Sequence, residues 1–242
     1  MGEGRNQKAS KDARAAARLR PGDLVMSDFD GTVTLVDTGL AVFEALDLRE
    51  AWYWEERWRD GEIDSMTCLA EQWGLIHLPH EELLELLDSL ELDEDFPEFV
   101  RRARAVGAQV VVVSDGLDFY LDRMLKRLGF VICPGDPRPG EQHCLARFAN
   151  HAELTDAGIK ITFPHREAEC GQCGNCKTAH LARLRESYER IIYLGDGYSD
   201  RCVAEHADLI FAKDSLARLL GRDDVAFLPF ERFADLIEAT LV

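Results

Sequence analysis

Short apolar runs recur along the chain at residues 24–26, 109–113, 190–194, 208–212 and 225–228, and the segments between them carry helical spacing. Several runs are rich in Val and Ile and lack the apolar–polar alternation of a strand with one wet face. They therefore read as strands of a parallel sheet covered by helices on both sides. The expected fold class is α/β, a doubly wound Rossmann-like parallel sheet.

The gaps between runs are uneven. Residues 31–113 far exceed the ~30 residues of a whole βαβ unit. Their excess shows an amphipathic pattern, with Trp54, Trp58, Met66, Leu69 and Trp73, then Leu83, Leu84, Leu87 and Leu90 at helical spacings. This predicts a helical cap over residues 36–99, inserted in a core made of 23–35 and 100–242. The stretch from Ser114 to Lys177 is also too long for one crossover. It contains the turn-rich Pro134-Gly135-Asp136-Pro137, a strand expected at 159–163 and a cysteine cluster, so a small β-rich flap is expected over 131–176. Residues 1–22 are polar and rich in Ala and Arg, with a short helix expected at 13–19 that Pro21-Gly22 would end; they read as a mobile tail.

Charge then excludes some partners. Lys and Arg total 28 against 45 Asp and Glu, a formal net charge of -17. Such a chain repels nucleic acid and anionic membrane. The tail is the exception, with six basic residues and two acidic ones. Residues 81–98 hold nine acidic residues around Leu and Phe, a solvated helix face rather than a site. No apolar stretch approaches the ~18 residues of a spanning helix, and no apolar segment follows the basic N-terminus, so a soluble, unexported protein is expected. Seven cysteines, with Cys170, Cys173 and Cys176 crowded together, do not suggest a disulfide framework; a reducing cytoplasm is the expected setting.

Candidate chemistry gathers where strands end. Asp28-Phe29-Asp30-Gly31-Thr32-Val33-Thr34 follows the first run directly. Two carboxylates at i and i+2 leaving a strand can point to one side, and ligands of open α/β sheets bind beyond the strand C-termini. Val113-Ser114-Asp115-Gly116 follows the second run and offers a hydroxyl and backbone N–H groups at a helix start, a natural anion site. Gly195-Asp196-Gly197-Tyr198-Ser199-Asp200 brings two further carboxylates to the same edge. Four Asp at two strand ends repel one another unless a cation lies between them. Lys177 stands at a helix start, where the helix dipole disfavours it unless an anion or carboxylate is near.

These four segments, in this order, resemble the haloacid dehalogenase superfamily of phosphohydrolases, from about residue 23 to the end. The inserted helices resemble the cap class shared with phosphoserine phosphatases. Asn150-His151-Ala152, Pro164-His165, the cysteine run ending in Cys176-Lys177 and the segment from Asp208 to Lys213 are more similar to a methionine-salvage subgroup. Ser114-Asp115-Gly116 departs from the Ser-Gly-Gly usual in phosphoserine enzymes. The resemblance implies a phosphomonoesterase acting through an aspartyl-phosphate. Asp28 would be the nucleophile and Asp30 the general acid and base. Mg²⁺ would be held by Asp28, the backbone carbonyl of Asp30, Asp196 and Asp200. Ser114, Asp115 and Lys177 would bind the phosphoryl group, and Thr32 would orient the nucleophile loop. The implied substrate is a small phosphorylated metabolite, 2-hydroxy-3-keto-5-methylthiopentenyl-1-phosphate first, with phosphoserine, phosphocholine or phosphoethanolamine as alternatives.

Two features stay open at this level. Cys170, Cys173 and Cys176 could bind structural Zn²⁺ with His165, His180, His143 or Cys144 as fourth ligand, form a redox pair, or be free thiols. A zinc-binding interaction module is accordingly the non-enzymatic alternative. Asp37, nine residues after Asp28, reads either as a substrate contact or as the N-cap of a helix beginning at Thr38. Trp52, Tyr53, Trp54, Trp58 and Trp73 all fall in the expected cap, as helix-packing core or as a substrate wall.

Overall fold

A computed structural model describes residues 16–138 and 140–241. The chain runs through β1 (Asp23–Ser27), α1 (Thr38–Ala45), α2 (Glu50–Arg59), α3 (Ser65–Gly74), α4 (His80–Ser89), α5 (Phe96–Ala105), β2 (Gln109–Leu117), α6 (Asp118–Arg127), β3 (Ile132–Pro134), β4 (Leu145–Thr155) and β5 (Gly158–Thr162). It continues through α7 (Lys177–Leu184), β6 (Arg190–Gly195), a 3-10 turn at Tyr198–Asp200, α8 (Arg201–Ala204), β7 (Leu209–Ala212), α9 (Asp214–Arg222), β8 (Leu228–Pro229) and α10 (Phe233–Leu241). The sheet order is β3-β4-β2-β1-β6-β7-β8 with parallel neighbours throughout, and β5 pairs antiparallel with β4.

The unbroken apolar runs are explained by two covered faces. Val25, Val110, Val112, Ile192, Leu194 and Phe211 point to one side, where Phe96, Phe99 and Val100 of α5 and Phe233 and Leu236 of α10 meet them. Their neighbours Leu24, Met26, Val111, Val113, Ile191, Tyr193 and Ile210 point to the other, against Leu181 and Leu184 of α7 and Leu216 and Leu220 of α9. Helix α5 shows the cause locally. Pro97 fits its first turn, and Phe96, Phe99, Val100 and Ala103 form one apolar stripe that is fully buried. This helix straddles residue 99 and packs with the sheet.

Three expectations are corrected. The segment 131–176 is not a separate flap throughout: residues 145–150 of β4 are a strand of the main sheet between β2 and β3, and only the outer half of β4, paired with β5, forms a hairpin. Arg147 and Asn150 disguise that strand in the sequence, because both polar side chains are buried with partners, Arg147 on Asp122 at 2.6 Å and Asn150 on Asp115. Residues 16–22 are not part of a mobile tail. Residues 1–15 lie outside the described residues, but Ala17 and Leu19 are buried, Leu19 N–H donates to the Thr240 carbonyl at 3.0 Å, and Arg190 donates to the Arg18 and Ala16 carbonyls. The cysteines are not all thiols. Strand pairing sets Cys133 beside Ala146, which brings the preceding Cys144 within reach, and Cys133 and Cys144 form a disulfide. Among the described residues no helix is long and apolar enough to cross a membrane.

Candidate active site

Three adjacent strands, β2, β1 and β6, end beside one another at the point where the chain's strand order reverses, the usual crevice for ligands in such sheets. After β1 the backbone N–H groups of Thr32, Val33 and Thr34 all donate to the Phe29 carbonyl, folding the loop tightly. Gly31 makes this possible with φ +72° and no side chain; a Cβ there would stand 2.3 Å from Asp196 Oδ2. The glycine thus lets the β6 loop approach the β1 loop directly.

The structure brings Asp28, Asp196, Asp200 and Lys177 together. Asp28 Oδ1 accepts from Phe29 N–H at 2.7 Å, and its Oδ2 lies 2.8 Å from Lys177 Nζ. Lys177, the first residue of α7, also donates to Asp200 Oδ1 at 2.6 Å and Ser199 Oγ at 3.1 Å. Burial alone would lower the Lys177 pKa, but Asp200 and Asp28 outweigh it and hold the ammonium above the usual lysine value. Asp200 is fully buried, and its Oδ2 accepts from the N–H groups of Asp196 and Gly197, each at 3.0 Å. Burial pushes the Asp200 carboxyl up, yet Lys177, Tyr193 and Gly197 more than reverse this and hold it below the ordinary range. Asp196 lacks such support. Thr32 Oγ1 donates to its Oδ1 at 2.7 Å, while burial and then the Asp200 charge push it up from 3.8 to about 8. Asp28 is likewise raised, by burial first and Asp200 second, against Lys177.

Ligand atoms of Asp28, Asp196 and Asp200 all lie within 4.8 Å of one another, and no other set of three or more His, Cys, Asp or Glu side chains among the described residues does so. Hard carboxylate oxygens suit Mg²⁺, and the raised Asp196 and Asp28 carboxyls are those of a site short of positive charge. The donor set fits that ion.

Asp30 is placed apart from this cluster. Its Oδ2 accepts from Ser114 Oγ at 2.9 Å and Tyr120 OH at 3.1 Å, while the buried Oδ1 has no partner. Burial raises its pKa, opposed by the hydroxyls of Thr38, Ser114 and Tyr120. Ser114 Oγ in turn accepts from Gly116 N–H at 2.8 Å, and a Cβ on Gly116 would meet Tyr120 Oη at 2.0 Å. The Asp115 carboxylate faces Asn150 and Asn175 rather than an anion position: Asn150 Nδ2 and Asn175 N–H donate to its Oδ1 at 3.0 and 2.8 Å. The Thr32 hydroxyl donates to Asp196, while its N–H helps to fold the loop that follows Asp28. Asp37 caps α1 by accepting from Leu40 N–H at 2.9 Å, and it also lines the cavity.

Above these residues lies a cavity of about 250 Å³ roofed by α1, α2 and α3. Its wall mixes apolar Leu40, Phe43, Trp58, Leu69 and Trp73 with Glu55, Arg59 and Gln72. Arg59 Nε donates to Glu55 Oε1 at 2.8 Å, and Gln72 Nε2 to Glu55 Oε2 at 3.2 Å. Trp58 and Trp73 are therefore wall residues, while Trp52 and Tyr53 are exposed.

The zinc reading is corrected. Cys170 and Cys173 sulfurs are 3.8 Å apart, but Cys176 is drawn into the N-cap of α7 and buried, and the His165 ring packs edge-on against Phe148 at 5.3 Å and His180 at 5.0 Å. The three thiols and His165 do not converge on one point, so structural zinc is not supported and the zinc-based interaction module loses its basis. Sequence reasoning missed Tyr120, Asn150 and Asn175. Tyr120 occupies an apolar position of α6 and gives no signal of its own.

A parallel sheet ending in paired Asp, Ser, Lys and a second Asp pair under a helical roof is the arrangement expected from the resemblance to the haloacid dehalogenase phosphohydrolases. The profile of the family described as Putative Phosphatase matches residues 23–215. The chain belongs to this family. Relatives bearing the name 2-hydroxy-3-keto-5-methylthiopentenyl-1-phosphate phosphatase include one from Exiguobacterium sibiricum, 28% identical over 225 residues, covering 88% of this chain and 94% of that protein. Another, from Bacillus cereus, is 29% identical over 217 residues and covers 88% and 93%. Among solved structures, a HAD family hydrolase from Salmonella enterica serovar Typhi superposes with TM-score 0.69 at 19% identity, covering 92% of this chain and 72% of that one. A phosphoserine phosphatase captured as a phospho-aspartyl intermediate analogue gives TM-score 0.67 at 18% identity, covering 91% and 100%. These two share the fold.

Proposed function

We propose that the protein is a Mg²⁺-dependent phosphomonoesterase that hydrolyses 2-hydroxy-3-keto-5-methylthiopentenyl-1-phosphate through a phosphoryl-Asp28 intermediate. The observation that carries the chemistry is the division of labour between Asp28 and Asp30. Asp28 faces Lys177 at 2.8 Å and, with Mg²⁺ offsetting the burial and the Asp200 charge that raise its carboxyl, is suited to act as an ionised nucleophile. Asp30, raised by burial and with Oδ1 uncommitted, is suited to carry a proton to the leaving alkoxide and take one from the attacking water. Lys177 and Ser114 neutralise and orient phosphoryl oxygens. Asp28, Asp196 and Asp200, with the Asp30 backbone carbonyl, would hold Mg²⁺, which when bound supplies further charge neutralisation on the phosphoryl group. The substrate assignment is supported by the names of the relatives and by the apolar wall of Leu40, Leu69 and Trp58, which suits a methylthio tail. Such a diffusible ester fits a cytoplasmic setting.

Phosphate release from this ester, from phosphoserine and from phosphocholine, with Mg²⁺ and with EDTA, tests the reading. The methylthio ester is expected to be turned over fastest and only with Mg²⁺; a preference for phosphoserine overturns the substrate, and undiminished turnover in EDTA overturns the metal. Asp30→Asn should slow alkyl phosphate esters by about 10²–10⁴-fold. It should slow p-nitrophenyl phosphate at least about tenfold less, because p-nitrophenolate leaves without a proton. Equal losses on both substrates count against the acid role.

The raised Asp196 makes a prediction for the metal-free protein. With a folded pKa of about 8 against 3.8, Asp196 holds a proton that the unfolded chain has released, so its contribution to stability falls as pH rises through that window. Lys177 is raised and Asp200 lowered, so both keep one charge state within it. In EDTA the melting temperature should decline between about pH 6 and about pH 8, and Mg²⁺ should flatten the slope. A slope indifferent to Mg²⁺ places the metal elsewhere.

A further inference from the structure

We propose that Asp115 is a positioning residue that latches roof helix α3 to the phosphate grip, so that the roof, the Ser114 loop and the segment leading to Lys177 close as one unit. This rests on the phosphatase reading for what the unit grips, but not for its geometry.

Asp115 sits directly after Ser114, and its carboxylate receives donors from two other parts of the chain: Asn150 Nδ2 in β4 at 3.0 Å and Asn175 N–H, two residues before Lys177, at 2.8 Å. Asn175 closes the same link from its side chain, donating Nδ2 to the Ser114 carbonyl at 2.6 Å. Asp115 reaches roof helix α3 through the chain just before Asn175: Ser65, the first residue of α3, accepts from Gly174 N–H with Oγ at 2.9 Å and donates its own N–H to the Gln172 carbonyl at 2.9 Å. Ser65 is buried, and so is Asn175. Gly174 has no room for a side chain, since a Cβ would stand 2.6 Å from the Phe163 ring and 3.0 Å from Asn150 Oδ1.

A carboxylate beside an anion site repels the anion, so Asp115 is a poor phosphate ligand. It is well suited to gather N–H donors from segments that must arrive together. Helix α3 carries Leu69, Gln72 and Trp73 into the cavity wall, and the Asn175 segment carries Lys177 to Asp28. One carboxylate therefore couples roof closure to assembly of the phosphate grip.

Hydrogen exchange read by mass spectrometry tests this on the full chain with Mg²⁺, with and without inorganic phosphate. In the wild type, phosphate should slow exchange in residues 65–69 and 172–177 together, as well as in 28–34. Ser65→Ala and Asp115→Ala should speed exchange of 65–69 roughly tenfold. They should also remove its response to phosphate, while residues 28–34 keep theirs. Ser65→Ala is the milder change and guards against a folding defect in the Asp115 variant. Asp115→Asn keeps an acceptor for Asn150 and Asn175, so it should restore roof protection to within about threefold. The latch is overturned if a folded Asp115→Ala protein, or Ser65→Ala, leaves the phosphate response of 65–69 intact, or if phosphate protects 28–34 in the wild type without touching 65–69. Neither outcome bears on turnover, which tests the phosphatase reading separately.

Discussion

Asn in place of Asp28 is expected to lower Mg²⁺-dependent turnover of p-nitrophenyl phosphate by at least about 10⁴-fold while the fold survives. The position is demanding but nearly isosteric. Asp28 directly follows β1, is almost wholly buried, and accepts from Phe29 N–H with one oxygen, a bond the Asn carbonyl can keep. What Asn loses is the second oxygen, the one facing Lys177 at 2.8 Å. An amide there presents N–H to an ammonium and lacks the carboxylate oxygen that attacks phosphorus to form the acyl phosphate. Far-ultraviolet circular dichroism should remain that of the wild type, because Asp200 still pairs with Lys177 at 2.6 Å. Activity within about tenfold of wild type would falsify Asp28 as nucleophile.

Replacing Lys177 by Met should have the largest effect on stability. Lys177 lies between Asp28 and Asp200, all three buried. Removing one member of a buried ion pair strands the opposite charge and costs about 3–5 kcal/mol. Here two carboxylates are left facing each other, with Asp196 close by. Chemical denaturation should show the loss in EDTA, and Mg²⁺ should recover a large part of it by replacing the missing positive charge. Turnover should not return with stability, since the ammonium also holds the phosphoryl oxygens. A Lys177→Met protein within about 1 kcal/mol of wild type in EDTA contradicts the strain assigned to this cluster.

The sequence revealed residues whose position in the pattern is itself unusual. Asp28, Ser114 and Asp196 are polar groups placed at or immediately after Val- and Ile-rich runs, at the one edge of a parallel sheet where ligands collect, and the central strands β1, β2, β6 and β7 were legible for the same reason. Residues that act by supporting others were hidden. Tyr120 reads as one more apolar position beside Leu121, Met124 and Leu125, and only three dimensions show its hydroxyl on Asp30. Arg147 and Asn150 broke the apolar pattern of β4 because their charge and amide are satisfied by distant partners, Asp122 and Asp115. The cysteine run was ambiguous because spacing says nothing of direction. A helix start draws Cys176 inward, and Cys133 finds Cys144 through strand pairing rather than sequence proximity.

Trp73, on roof helix α3, stacks on the Tyr120 ring at 5.6 Å with 16° between planes, and it also meets Phe43 and Phe119 edge-on. Tyr120 holds Asp30 and sits on α6, in the core below. The indole is thus shared between the part that would lift and the part that stays, and opening of the roof must break the stack and wet the ring. The protein carries an optical gauge of its own closure: Trp73 emission, read in a Trp52, Trp54 and Trp58 triple-Phe background, should report roof position during turnover without any added label.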